Sequence, residues 1–545
     1  MCCLVDWPDH KQCSVAHYLG NVSSIPPSLT SPSWHSFLGL AMRVMSMRFR
    51  ICLLLLAGLS ASVCMRSHFS MTLVCMLKKR VSNSTEISTN ITVSDNGCPN
   101  YNVESDGVKV ETETGELEWS REMTPYLFTV LLLGQVASLL ISMHLSSRIA
   151  PTKMLLFSVL SQVLITMISP TLARISYWAF FVSRLALGVA EGLIASPGAA
   201  IATRWFPPNE RASMAAVYTS ANQISNGIAP FIVSFICSFQ LDWTFAFYLF
   251  GLLGLVWAAE WLRVGSDDPL RSKRMSEKEK EQLSVFQTQG LNKAVVRPPY
   301  GKMFTSPVLF AHLAAVAAFY STTTIMASFL PTFFEERMGL PIRKNGLYTM
   351  IPFVAQIFAK NGLAFGLDSL KKSGSIGHTA AAKIAQTMGC VGSSTFLLML
   401  IFFADCRRPE VALLAMTLCL SLHSCMAVGF YASMMLICPP LTGVIVPIVI
   451  AAGVTASGLS TAVMGVAADY SYKYELIFGL CITLNVFAGI IYLVWGTAEV
   501  QPWASHFNIV TQEERKQDML LDEEGDEKTK EILSIPMDTI LKSSK

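Results

Sequence analysis

Twelve apolar stretches, each about as long as a bilayer-crossing helix, constrain this chain more than any other feature. A helix rises about 1.5 Å per residue, so about 20 apolar residues are needed to cross the hydrocarbon core. Segments meeting that criterion run over residues 49–77, 123–145, 153–173, 177–203, 212–238 and 243–264, then 307–334, 345–367, 379–404, 410–435, 440–466 and 474–497. Backbone amides find no water in lipid, so such spans must satisfy themselves as helices. The expected fold class is an all-α membrane protein with two six-helix bundles. Composition agrees: 52% of the residues are hydrophobic and only 14% charged, against about 25% charged in soluble domains. A net charge of +3 gives no reason to expect nucleic acid as a partner.

The stretches between and beyond the spans divide the chain. Residues 1–46 show no strong period and lack the layout of a signal peptide, so a disordered cytosolic extension is expected there. The amino-terminal bundle then covers 47–264 and the carboxy-terminal bundle 307–500, joined by a polar linker at 265–306 containing "RSKRMSEKEKEQL". The charged tail 501–545 is expected to be disordered and cytosolic. Six plus six helices around a polar linker is the layout of a major facilitator transporter, in which two halves rock about a midplane site.

Basic residues orient the spans. Arg43, Arg48 and Arg50 precede the first, Arg148 and Lys153 follow the second, Arg204 and Arg211 follow the fourth, and Lys371 and Lys372 follow the eighth. Both termini are therefore expected in the cytosol. The loop 78–122 then lies across the membrane, although it opens with Lys78, Lys79 and Arg80; long loops cross largely regardless of charge. It carries two glycosylation acceptors, Asn83 in "NST" and Asn90 in "NIT", whereas Asn21 in "NVS" falls on the cytosolic side. Most of the 14 cysteines lie in apolar stretches, where the thiol behaves as a small hydrophobe. Cys98 is alone in its loop and cannot close it on itself. The cluster Cys2, Cys3, His10, Cys13 and His17 lacks zinc-site spacing. No metal or resident cofactor is expected.

Charges inside the spans point to function. In "SRLALGVAEGLIASPGAAIATRWFPP" (183–208), Arg184 and Glu191 are seven residues apart, nearly two turns and about 10 Å along one helix face. Arg66, in "CMRSHFSM", lies past the middle of the first span. Two arginines against one glutamate leave a positive charge near the midplane, suited to a carboxylate or phosphate. The competing reading is a closed ion pair that only holds helices together. Protonation of Glu191 would change how it competes with an anion for Arg184, a route to proton coupling. Gly188 and Gly192 form a GxxxG spacing that admits a close neighbour, and Pro197 can kink the helix. The second half is nearly uncharged inside: Lys360 can snorkel, His312 and His423 read as satisfied helix histidines, and Asp368 and Arg148 suit gating at the cytosolic edge.

"SRLALGVAEGLIASPGAAIATRWFPPNERA", "DWTFAFYLFGLLGLVW", "SDDP", "MRSHFSMTLV", "FLPTFFEERMGLPIRKNGLYTMIPF" and "GTAEVQPW" together resemble the anion:cation symporter family of major facilitators over about residues 48–503. That family includes sialin, the vesicular glutamate transporters and the type I sodium–phosphate cotransporters. The resemblance implies transport of a small organic or inorganic anion, driven by H⁺, Na⁺ or membrane potential, across a plasma or lysosomal/vesicular membrane. By position, Arg66 and Arg184 match its substrate-facing arginines and Glu191 its fourth-helix acid. Elsewhere the sequence departs: Leu187 replaces a further acid of sialin-like members, Phe128 a second-helix histidine, Tyr320 or a neighbour a seventh-helix arginine, and Ser433 and Leu436 a tenth-helix amide and acid. The expected partners are the anion and the bilayer, with the protein acting as a monomer. A membrane enzyme would need a nucleophile–base pair or metal cluster in the spans, and none is visible. A relative that no longer transports and serves as a receptor or scaffold is the alternative.

The orientation gives a first prediction. Asn83, Asn90 or both carry glycans in cells and Asn21 does not, so glycosidase shifts wild type but not an Asn83→Gln/Asn90→Gln double variant. A shift that requires Asn21 alone reverses the orientation.

Overall fold

The computed structural model describes residues 46–78, 115–206 apart from 121 and 146–147, 214, 217–270, 275–280 apart from 278, 283, 299–438, 441–468, 470 and 472–504. The glycosylation acceptors and the amino-terminal cysteine cluster lie outside them. The first half contains α1 (Met47–Met76), α2 (Thr124–Leu145), α3 (Pro151–Ile175), α4 (Tyr177–Gly192), α5 (Ala195–Trp205), α6 (Ala221–Ser238) and α7 (Thr244–Val264). The second contains α8 (Tyr300–Phe304), α9 (Pro307–Glu336), α10 (Ile342–Lys372), α11 (His378–Phe403), α12 (Pro409–His423), α13 (Cys425–Ile437), α14 (Thr442–Ala467) and α15 (Lys473–Trp495). Among the described residues, ten spans are long and apolar enough to cross a membrane, counting α4 with α5 and α12 with α13, and α2 carries a shorter apolar stretch. With α6 these make up the expected two sets of six. Exposed Phe157, Leu164, Val182, Phe358, Phe402 and Val494 lie on the outer surface of the bundle, as apolar side chains do when the solvent is lipid.

Local chemistry sets the helix limits. Pro151, Pro307 and Pro409 stand in the first turns of α3, α9 and α12, where a missing N–H leaves no bond unmade. α10 ends on Gly374, whose φ of 73° allows its amide to reach the Lys371 carbonyl while the Ser375 amide reaches Leu370. The fourth span is not continuous, as the sequence reading had it. It breaks at Leu193–Ile194 before resuming as α5. Pro197 has no amide hydrogen to offer the Leu193 carbonyl, which weakens the helix there. The fourth span of the second half is interrupted in the corresponding place, at Ser424.

Glycines fasten α2 to α4. A Cβ on Gly188 would lie 1.9 Å from the Leu131 carbonyl oxygen, one on Gly192 2.0 Å from Ser138 Oγ, and one on Gly134 2.4 Å from the Leu185 carbonyl oxygen. The GxxxG spacing is thus a packing seam within one half, and it seats the helix carrying Arg184 and Glu191.

The two halves meet through α1 against α9, α2 against α14, and α6 against α10. At the end opposite the 265–306 linker they share one core, including Phe69, Phe128, Phe329, Phe333 and Phe353. At the linker end each half has its own core, one around Trp205, Trp257 and Trp261, the other around Met303, Phe430 and Tyr492. The molecule is therefore closed at the opposite end and divided at the linker end. Ion pairs brace each half separately: Arg50 with Glu260 at 2.6 Å, Arg174 with Glu116 and Asp242, both at 3.0 Å, and Lys473 with Glu336 at 2.6 Å. Partial burial raises the Asp242 carboxyl pKa, but the Thr244 amide and Arg174 outweigh it and hold the group below the usual carboxylate range.

Most cysteines described behave as expected, with Cys52, Cys390, Cys419, Cys425 and Cys481 free and buried. Cys75 and Cys237 do not: they form a disulfide joining the end of α1 to the end of α6. Cys406, in the turn after α11, is also disulfide-bonded.

The α2–α4 seam predicts that Gly188→Leu destabilises the protein by about 1–3 kcal/mol through overpacking, lowering its thermal midpoint in detergent. Gly362→Ala, inside α10 where a Cβ meets nothing within 4 Å, does not lower the midpoint and, by helix propensity, raises it slightly; it serves as control.

Candidate functional site

The charged residues of the first half converge where α1, α4 and α6 face one another. α4 starts cleanly, with the Ser176 side chain accepting from the Trp178 amide at 3.0 Å, and its face then carries Arg184 and, about two turns on, Glu191. On α1, Arg66 and Phe69 are one turn apart, and they meet that face in antiparallel order. Arg66 Nη1 donates to Glu191 Oε1 at 2.7 Å, while the Arg184 guanidinium lies 4.3 Å from the centre of the Phe69 ring. On α6, Asn222 Oδ1 accepts from Arg66 Nη2 at 3.4 Å and from Asn226 Nδ2 at 2.9 Å.

This geometry corrects one expectation. Glu191 shares a face with Arg184, yet its ion pair is with Arg66, from another helix. Side chains two turns apart on one helix are separated by about 10 Å of axis, whereas antiparallel α1 brings Arg66 directly alongside. Arg184 is 1% exposed, and its Nε and Nη2 have no hydrogen-bond partner. Glu191 is 7% exposed and one of its oxygens, Oε2, also lacks one. Two guanidiniums and one carboxylate leave one net positive charge, with donors unfilled on Arg184. A buried unpaired charge costs several kcal/mol; the Phe69 ring returns about 0.5–2 kcal/mol of it.

The remaining expected residues are placed differently. Asp368 is exposed and pairs at 2.6 Å with Lys371 on its own helix, so in this state it closes nothing between the halves. Arg148 is exposed in the turn between α2 and α3. Close by, Asp267 caps α3, accepting from the Thr152 amide at 2.9 Å and hydroxyl at 2.6 Å, and the Trp205 indole donates to the Ser266 carbonyl at 2.9 Å. The "SDDP" stretch therefore ties the linker-end termini of α3, α5 and α7 together. His312 is satisfied through both ring nitrogens, by the Val308 carbonyl at 2.8 Å and Ser433 Oγ at 2.9 Å. His423 is satisfied only at Nε2, and its Nδ1 has no partner.

Sequence reasoning passed over Asn222 and Asn226, although two amides four residues apart inside an apolar span are a readable signal. It also passed over Phe69, for which no signal separates a ring under a cation from core packing. Phe128 packs between Phe69 and Phe329, with centroids 5.2 and 5.3 Å away, and so completes the apolar closure above Arg184. Leu436 is exposed, whereas Ser433 is buried.

Comparison with known proteins places this geometry in a family. Residues 58–468 match the model of the Major Facilitator Superfamily. The chain is 30% identical to a Caenorhabditis elegans protein described as uncharacterized transporter slc-17.3, over 84% of this chain and 90% of that one. Human sialin is 24% identical over 84% of this chain and 91% of its own; mouse sodium-dependent phosphate transport protein 3 is 24% identical over 84% and 95%. Among solved structures, a D-xylose–proton symporter superposes with a TM-score of 0.58 at 14% identity, covering 84% of this chain and all of that one. The inward open conformation of the Escherichia coli xylose transporter XylE also superposes at 0.58, with 13% identity over 82% of this chain and 96% of XylE. These last two speak for the fold alone. The chain is an integral multi-pass membrane protein of the Major Facilitator Superfamily and belongs, within it, to the anion:cation symporter family.

Proposed function

We propose that this protein is a secondary active transporter that moves a small organic or inorganic anion, a carboxylate or phosphate, by alternating access. The observation that carries the reading is Arg184, held buried with two unfilled donor nitrogens. A planar guanidinium offers a bidentate fork to a carboxylate or phosphate, and in a site of low dielectric that contact is strong. The names of relatives, sialin and sodium-dependent phosphate transport protein 3, support an anionic cargo. A closed structural ion pair would account for Arg66 and Glu191 but not for Arg184. A receptor or scaffold without transport would gain nothing from that costly charge. No catalytic role is proposed, and the candidate site is complete within one chain, consistent with a monomer.

Arg66 and Arg184 are the proposed substrate ligands, and Glu191 the coupling group. When ionised, Glu191 holds Arg66; when protonated it releases Arg66 to join Arg184 on the anion, so proton and anion enter together. The charged groups around Glu191 are Arg66 on α1, which Asn222 of α6 also binds, and Arg184 on its own helix. Coupling to Na⁺ is the competing drive. The division at the linker end corresponds to an inward-facing state if that end is cytosolic. Disulfides at Cys75–Cys237 and Cys406 support this orientation, since both sit at the opposite end and such bonds persist in oxidising compartments.

Two outcomes test the reading in proteoliposomes supplied with a panel of labelled anions. Arg184→Lys lowers uptake at least about tenfold at equal protein content, because a point charge cannot reproduce the fork; unchanged uptake makes Arg184 a packing residue. Glu191→Gln retains anion exchange but loses acceleration by an inward proton gradient. If the variant keeps its full response to the gradient, Glu191 is not the coupling group.

A further inference from the structure

The second half faces the arginines with phenols rather than charge. Tyr320 of α9 packs against the cluster containing Leu131, Leu132 and Leu187 from the first half and Val454 from the second. Its ring therefore lies on the boundary between the halves. Leu187 is one turn from Arg184 on the same helix, and α9 packs against α1, the helix that carries Arg66. The ring rests against the backbone of α14 at Gly453, where an added Cβ would come within 3.0 Å of Tyr320 Cδ2. Its hydroxyl is 2.9 Å from that of Tyr431 on α13, whose own ring packs on Phe430 with centroids 4.3 Å apart. Phe319 and Phe430 continue the wall behind them.

We propose that the Tyr320–Tyr431 hydroxyl pair forms the carboxy-terminal wall of the anion site and sets its charge preference. The favoured cargo bears one anionic group and neutral hydroxyl or carbonyl groups, and anions with a second, separate charged group are disfavoured. This rests on the reading of Arg66 and Arg184 as anion ligands. One hydroxyl proton is spent between the two phenols, leaving the other free to donate and both oxygens able to accept. Such a pair satisfies a neutral polar group removed from water. It cannot compensate a second negative charge, whose desolvation would go unanswered. Arg66 and Arg184 both lie on the first-half wall, so in either protonation state of Glu191 their charge meets the anionic group facing that wall and not a second one held at the phenols. Lys360, partly buried on α10, is the rival source of a second.

The test measures uptake of radiolabelled gluconate, a hydroxylated monocarboxylate, at pH 7.5, and its competition by unlabelled gluconate and by succinate, a dicarboxylate. Wild type is expected to prefer gluconate. Tyr320→Arg should shift the gluconate-to-succinate ratio at least about tenfold towards succinate, the worth of one added ionic contact. Tyr431→Phe, which keeps the ring, should weaken gluconate about two- to tenfold through one lost hydrogen bond and leave succinate unchanged. An unaltered ratio in both variants overturns the proposal, as does wild-type uptake of succinate that Lys360→Gln removes selectively. Arg184→Lys is measured in parallel. If it spares uptake, the anion-site reading itself has failed; if it abolishes uptake while the tyrosine variants keep the wild-type ratio, only the assignment of the phenols is wrong.

Discussion

The pairing of Arg66 with Glu191 at 2.7 Å determines what everything around it can do. It uses the one acidic group on the inner face of α4, so Arg184 is left with an aromatic ring and no counter-ion. Had Glu191 turned to its own helix neighbour, the first half would hold a neutral pair and a half-exposed arginine. Such an arginine would be hydrated and screened by water and would attract a solute only weakly. The pair also sets the register of α1 against α4 and draws Asn222 of α6 into the same network, so three helices of one half answer to a single contact.

The contacts between the halves are of another kind. Bracing ion pairs such as Arg50–Glu260, Arg174–Glu116 and Lys473–Glu336 each lie inside one half. Among the described residues, contacts between the halves include Phe128 against Phe329, Thr129 Oγ1 at 2.9 Å from Thr461 Oγ1 and the Arg343 guanidinium over the Phe235 ring, with no ion pair among them. A Cβ on Gly346 of α10 would lie 1.9 Å from Ser234 Oγ of α6, so that seam is also built on a missing side chain. Non-directional contacts slide and re-form more readily than buried ion pairs break. Two stiff bodies meeting through a greasy seam are suited to rocking.

Much of this was legible in the chain. Length and hydropathy locate the spans, because the bilayer leaves the backbone no other solution. Arg66, Arg184 and Glu191 stand out for the same reason: a charge within such a span needs an explanation. Their pairing was not legible. A helical wheel puts Arg184 and Glu191 on one face, but it cannot say that a residue 125 positions away takes the carboxylate first. The Cys75–Cys237 bond joins positions 162 apart, each cysteine looking like a small hydrophobe in its own span. The second half read as empty because charge was the signal sought. Its polarity is carried by hydroxyls, amides and imidazoles, such as Tyr320 with Tyr431 and His312 with Ser433, and these become visible only when helices bring them together.

The Cys75–Cys237 bond lies beyond the site, yet it joins the two helices that carry Arg66 and Asn222. Each helix could otherwise twist or slip along its axis independently, and a slip of one residue, about 1.5 Å, would break the bond between those side chains. The covalent link makes α1 and α6 a single lever whose far arm holds the binding residues in phase. Assembly of this protein is then bound to the redox history of the compartment where it is made. A chain inserted into a membrane without an oxidant would have every helix in place and a binding site whose walls are free to drift out of step.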